Sequence, residues 1–156
     1  MVQPSIYVPP DTSRRRLDAA IILVRVLVGP VFFLEGVQKF LFSESLGAGR
    51  FMKIGIPAPE FMAPFVGVVE ILFGALIVAG LFVRLATVPL IIDISVAIAT
   101  TKLPILFKQG FWAMAHEART DWSMLLGLLF LLIAGPGRWA CERLIMKERP
   151  PGESSS

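Results

Sequence analysis

The sequence predicts an all-α fold, a bundle of four transmembrane helices with both termini in the cytoplasm, and three observations lead there. More than half of the 156 residues (55%) are apolar, 17% are charged and the mean hydropathy is +0.72, a balance that suits lipid rather than water as the solvent. Apolar runs occupy residues 17–42, 61–82, 85–106 and 122–140, each close to the ~20 residues that cross a bilayer as helix. The basic residues, finally, are sorted by loop, as the positive-inside rule requires. One membrane domain over 17–144 is expected, flanked by disordered cytoplasmic tails at 1–16 and 145–156.

The N-terminal stretch is polar and carries Pro4, Pro9 and Pro10, which suits an extended tail. Arg14, Arg15 and Arg16 then precede the first apolar run. Basic residues before an apolar stretch resemble a signal peptide, but this run is too long for an h-region and lacks a clear small-residue cleavage site, so an uncleaved first span is expected. A loop with Gly47, Gly49, Gly55, Pro57 and Pro59 separates it from the second span, and no helix crosses such a segment intact. Val83 and Arg84 form a very short link to the third span, which makes the second and third antiparallel neighbours. A polar loop with Lys108, His116, Glu117 and Arg119 leads to the fourth.

Arg14, Arg15, Arg16, Arg84, Arg138, Arg143, Lys147 and Arg149 fall on one side of these spans, and Arg50, Lys53, Lys108 and Arg119 on the other. The more basic side is the cytoplasmic one. Trp112 and Trp122 mark the outer interface and Trp139 the inner. The net charge of +3 follows from this topology and not from a basic stripe interleaved with aromatics, so nucleic acid is not an expected partner. Cys141 is the single cysteine and His116 the single histidine. The chain by itself therefore holds no CxxC pair, bis-His haem or zinc or iron–sulfur set. No metal and no intrinsic cofactor are expected, and a redox cofactor would be a diffusible quinone or come with a partner.

Charges inside the apolar runs are costly in hydrocarbon unless paired or wetted, and by default they mark function. Counting about 1.5 Å per residue along each span puts Arg25, Glu70 and Asp93 at a common depth near the midplane, one cation with two carboxylates. With all three ionised the trio would carry excess negative charge, which favours a shared proton. Gly67 and Gly74 flank Glu70 on one helical face and admit a close neighbour. A second polar layer lies nearer the outside. Glu35 and Lys39 are four residues apart in the favourable order, and Lys102 and Asp121 reach the same level from the third and fourth spans. Lys102 is nine residues from Asp93, about half a turn out of phase on a straight helix, with Pro104 able to unwind that end. Such layers either line a polar cavity or serve as interhelical adhesive. The Phe-rich stretch at Phe32, Phe33, Phe40 and Phe42 suits lipid contact and packing.

In order along the chain come Arg25 to Gly29, the run Phe32 to Lys39 (Phe-Phe-Leu-Glu-Gly-Val-Gln-Lys), Gly55-Ile56-Pro57 and Glu70 with Gly74. Gly80-Leu81-Phe82 with Arg84 and Gly135-Pro136-Gly137-Arg138 complete the series. It resembles the DoxX family of small bacterial membrane proteins and covers most of residues 17–144. The resemblance implies a multi-pass protein of the bacterial inner (plasma) membrane associated with oxidoreductase systems, some relatives being linked to thiosulfate and quinone oxidation. Family members commonly carry a His before the outer loop and a Glu early in the fourth helix, where this chain has Lys102 and Asp121. The expected function is that of a redox-associated, accessory subunit with a buried polar site for a quinone headgroup or a proton, and no residue is assigned a catalytic role. The alternative is a non-catalytic scaffold that recruits oxidoreductase partners, its buried charges purely structural. Expected partners are the bilayer, redox enzymes and further copies of the chain.

Overall fold

The computed structural model describes residues 12–141, which form helices and turns with no strand among them. The helices are α1 (Thr12–Leu41), α2 (Ala48–Lys53), α3 (Pro59–Ala79), α4 (Val83–Ala97), α5 (Leu103–Gln109) and α6 (Phe111–Ala134). A π-helical turn, Ile98–Lys102, joins α4 to α5 so that the two run as one rod. Of the tail expected over 1–16, residues 12–16 already belong to α1, and the rest of it lies outside the described residues, as does the tail expected over 145–156.

Three helical stretches are long and apolar enough to cross a membrane, Arg15–Leu41, Pro59–Ala79 and Val83–Gln109. Helix α6 differs from the fourth span expected over 122–140 at both ends. It begins at Phe111 because Ala113, Met114, Ala115, Glu117, Ala118 and Arg119 are helix formers with no glycine or proline among them, and Ala118 is fully buried. It stops at Ala134 because Gly135 takes φ +79 and Pro136 follows, so residues 135–140 turn instead of continuing the helix. Its first half thus carries Glu117, Arg119 and Asp121.

Helices α1 and α3 pack most closely, and a repeated glycine register explains why. Gly29 and Gly36 on α1 face Gly74 and Gly67 on α3, so the pair is antiparallel. A Cβ built on Gly36 would meet the Gly67 carbonyl oxygen at 2.5 Å, and one on Gly74 would meet the Gly29 oxygen at 2.8 Å. Backbone on backbone leaves no room for a side chain at Gly36 or Gly74. Gly127 on α6 is a milder case, since its added Cβ would meet the Val28 side chain. Gly36→Ala is therefore expected to cost about 1–3 kcal/mol and clearly more than Gly127→Ala, because a methyl can be displaced and a carbonyl cannot. Thermal unfolding midpoints in detergent compare the two, and equal losses would show that the seam is looser than this.

Helix α4 packs mainly on α6, and this second pair meets the first around Val28, Ile77, Leu90, Leu128 and Leu131, all fully buried. Large apolar residues such as Leu23, Leu72, Ile92, Leu126 and Ile133 stay exposed on the outside. An apolar exterior over an interior that contains Arg25 and Glu70 inverts the pattern of a protein in water and matches one in lipid. The start of α1 and the turn after α6 lie together, since the Arg138 amide donates to Asp18 Oδ1 at 3.0 Å. This is the terminal end of the bundle; α2 and the turn at Gly110 mark the loop end.

Candidate functional site

The polar interior is organised by helix direction. Lys39 sits near the last turn of α1 and Glu70 halfway along α3, about six residues apart in the glycine register. Helical side chains lean toward their own N-termini, so on antiparallel helices Lys39 leans down and Glu70 leans up until they meet. Lys39 Nζ donates to Glu70 Oε2 at 2.5 Å, with the lysine side chain 11% and the glutamate side chain 5% exposed. Asp93, half-buried on α4, is a neighbouring carboxyl that faces the same space as Glu70. Lys102 Nζ pairs with Asp121 Oδ2 on α6 at 3.2 Å.

These groups line one cavity of about 850 Å³ at the loop end of the bundle, between the α1 and α3 pair and the α4 and α6 pair. Glu35, exposed, also lines it, as do Phe32, Val69, Val96 and, from α2, Arg50 and Phe51. The expected outer layer of Glu35, Lys39, Lys102 and Asp121 is thus brought together with Glu70 and Asp93. Within it, however, Lys39 bonds across to Glu70 and not back to Glu35, because the interhelical carboxylate is buried and the one on its own helix is not.

Arg25 does not belong to this site. Its Nε donates to the Ile77 carbonyl at 2.9 Å, Nη2 to the Val78 carbonyl at 2.7 Å and Nη1 to the Pro136 carbonyl at 3.2 Å. The depth count misplaced it because the glycine register sets Arg25 against Val78 in the C-terminal turn of α3, eight residues and about 12 Å from Glu70. The guanidinium caps the negative end of α3 and holds the turn after α6 to it. Gly80 makes this possible twice over. It takes φ +72 to end α3, with its amide bonded to Ile77 and that of Leu81 to Leu76, and a side chain there would strike the guanidinium. Arg84 ties α6 in the same manner, Nη2 to the Ile133 carbonyl at 3.2 Å. The buried Asp18 and the exposed Arg84 were not singled out by the sequence as contacts of this turn; Gly135-Pro136-Gly137, which ends α6 and leaves its last carbonyls without intrahelical donors, is the signal that could have found them.

Lys102 and Asp93 do face the same cavity, contrary to the half-turn phase expected on a straight helix. The π-helical turn between them holds more residues per revolution and so rotates Lys102 back toward Asp93. Pro104 has no amide to give to the Thr100 carbonyl, which favours the wider turn, and Thr101 Oγ1 donates to the Ala97 carbonyl at 2.6 Å within it. Among the described residues no buried side-chain nitrogen or oxygen lacks a hydrogen-bond partner.

An apolar shell around paired charges and a lined cavity defines the class, a small helical integral membrane protein. The DoxX family model matches residues 20–103, more than half the chain, and the chain belongs to the DoxX family. It is 54% identical over 134 residues to the uncharacterised membrane protein Rv3486 of Mycobacterium tuberculosis, covering 82% of each chain. It is 29% identical over 143 residues to CatD of Bacillus subtilis, provisionally named an oxidoreductase, covering 91% of this chain and 98% of that one. No solved structure matches the chain.

Proposed function

We propose that this protein is an accessory subunit of an oxidoreductase system in the bacterial inner membrane, and that its loop-end cavity takes a quinone headgroup or passes a proton. The observation that carries the reading is the convergence of Lys39, Glu70, Asp93, Lys102 and Asp121 from four helices onto one cavity. A lysine can donate to a quinone carbonyl, and neighbouring carboxyls can accept from a hydroxyl or relay a proton. Two carboxyls and one ammonium at Glu70, Asp93 and Lys39 balance when the pair holds one proton, which suits a group that exchanges protons. The provisional name of CatD supports a redox setting. In this reading α6 is the fourth span, its polar first half facing the cavity, and the basic terminal end lies in the cytoplasm.

Protein drawn from native membranes in mild detergent is expected to carry extractable quinone, and Glu70→Gln to lose most of it while still unfolding cooperatively as a folded protein. Mass spectrometry of extracted lipids and co-purifying proteins reads both quantities. Wild-type protein free of quinone and of any dehydrogenase would sink the proposal. The scaffold alternative has its own support in Arg25, whose donors are spent on main-chain carbonyls. It expects Glu70→Gln to lower stability with bound lipids unchanged.

A further inference from the structure

The cavity is bounded on its α3 and α4 side by residues that belong to two surfaces at once. Phe65 on α3 and Ile92 and Val96 on α4 line it, yet they are 52%, 60% and 46% exposed. They lie on helices that pack mainly on other partners, α3 on α1 and α4 on α6, and that are tied to each other by the short link at Gly80–Phe82. Away from that link the exposed lining residues on this flank are all apolar. The opposite flank is different in kind, being lined by Glu35 of α1 and Glu117 and Thr120 of α6, all exposed.

Charge decides what head the cavity accepts. Lys39 is balanced by Glu70 and Asp93 with their shared proton and Lys102 by Asp121, which leaves Arg50 as the remaining base against Glu35 and Glu117. Acids are in excess, and in a site walled by apolar residues an incoming carboxylate or phosphate is repelled. A head bearing hydroxyls meets carboxyl acceptors, Asp93 and Glu70 among them.

We propose that the gap between α3 and α4, flanked by Phe65, Ile92 and Val96, is a lateral portal through which a membrane-dissolved amphiphile with an uncharged, hydroxyl-bearing head enters the cavity. Its tail stays between the two helices in contact with lipid, and its head reaches the carboxyls of Asp93 and Glu70. This rests on the cavity reading above and adds the route and the head chemistry. It also requires no opening of the buried core, because the portal residues are already exposed.

The test uses full-length protein in lipid nanodiscs and three probes, decyl-hydroquinone, tail-free hydroquinone and decanoate, with native mass spectrometry reading the fraction of protein that carries each. Decyl-hydroquinone is expected to bind and decanoate not to. Ile92→Trp or Val96→Trp should narrow the portal and weaken decyl-hydroquinone by about tenfold, while Leu126→Trp, on an exposed α6 face away from the cavity, should not. Unfolding midpoints verify that each variant is folded, and the two portal variants guard against failure of either. Equal binding of decanoate overturns the head selection, and portal variants that bind like wild type overturn the route, both with the cavity reading intact. If no probe binds, the cavity reading falls and the portal with it.

Discussion

Arg25→Met is expected to lose about 3–5 kcal/mol of stability, the range seen when a buried charged partner is removed and its counterparts are left unmet. The last carbonyls of a helix have no partner within it. Of those in α3, Leu76 and Ile77 are met by the amides of Leu81 and Gly80, but Val78 depends on the guanidinium. Pro136, beyond α6, loses its donor as well. Each unmet buried acceptor costs about 1–3 kcal/mol, and the vacated space beside Gly80 adds to that. Arg25→Lys should recover only part, since a single ammonium cannot span three carbonyls that a planar fork reaches together. For a chain of this size 1 kcal/mol moves the midpoint by about 2–4 °C, so Arg25→Met should fall by roughly 10 °C or more in a detergent melt. Its effect should also add to that of Glu70→Gln, because the two side chains share no partner. A strongly non-additive pair would return Arg25 to the carboxylate cluster and refute the capping role.

Arg25 also shows where the sequence could be read and where it could not. That a charge in an apolar run lies in the interior was legible from the cost of exposing it to lipid, and Arg25 and Glu70 are indeed buried. Which charge faces which is set by helix register, and register is set by backbone contact. Counting residues from the ends of apolar runs gave depths a turn or two wrong, because those ends are soft: α1 begins at Thr12 and α6 at Phe111, well before the apolar residues that suggested each span. The better ruler was present in Gly29, Gly36, Gly67 and Gly74, two pairs with the same spacing of seven, which fix α1 against α3 and carry Arg25 to Val78. The phase of Lys102 was not legible from helical periodicity at all. A π-helical turn changes that periodicity locally, and only Pro104 hinted that the rod was not uniform.

The site itself makes a comparable demand on stability. Lys39→Met should be the most damaging change in the cavity, about 3–5 kcal/mol, because it leaves the buried Glu70 carboxylate with Asp93 as its neighbour and no cation in contact. Replacing both partners, as Lys39→Met with Glu70→Leu, should recover much of the loss, since an apolar pair of similar volume needs no counter-charge. The resulting coupling between positions 39 and 70 is expected at about 1–3 kcal/mol. Lys39→Met with Asp93→Asn should recover an intermediate amount, because one of the two crowded carboxyls is removed while the other stays unpaired. The order of the unfolding midpoints therefore reports the electrostatics of the cavity directly: wild type highest, the Glu70→Leu double variant next, then the Asp93→Asn double variant, and Lys39→Met alone lowest. If Lys39→Met melts with wild type, the ion pair contributes nothing net. The cavity would then be wet enough to screen its charges, and a site so screened could not hold a proton between Glu70 and Asp93 for transfer.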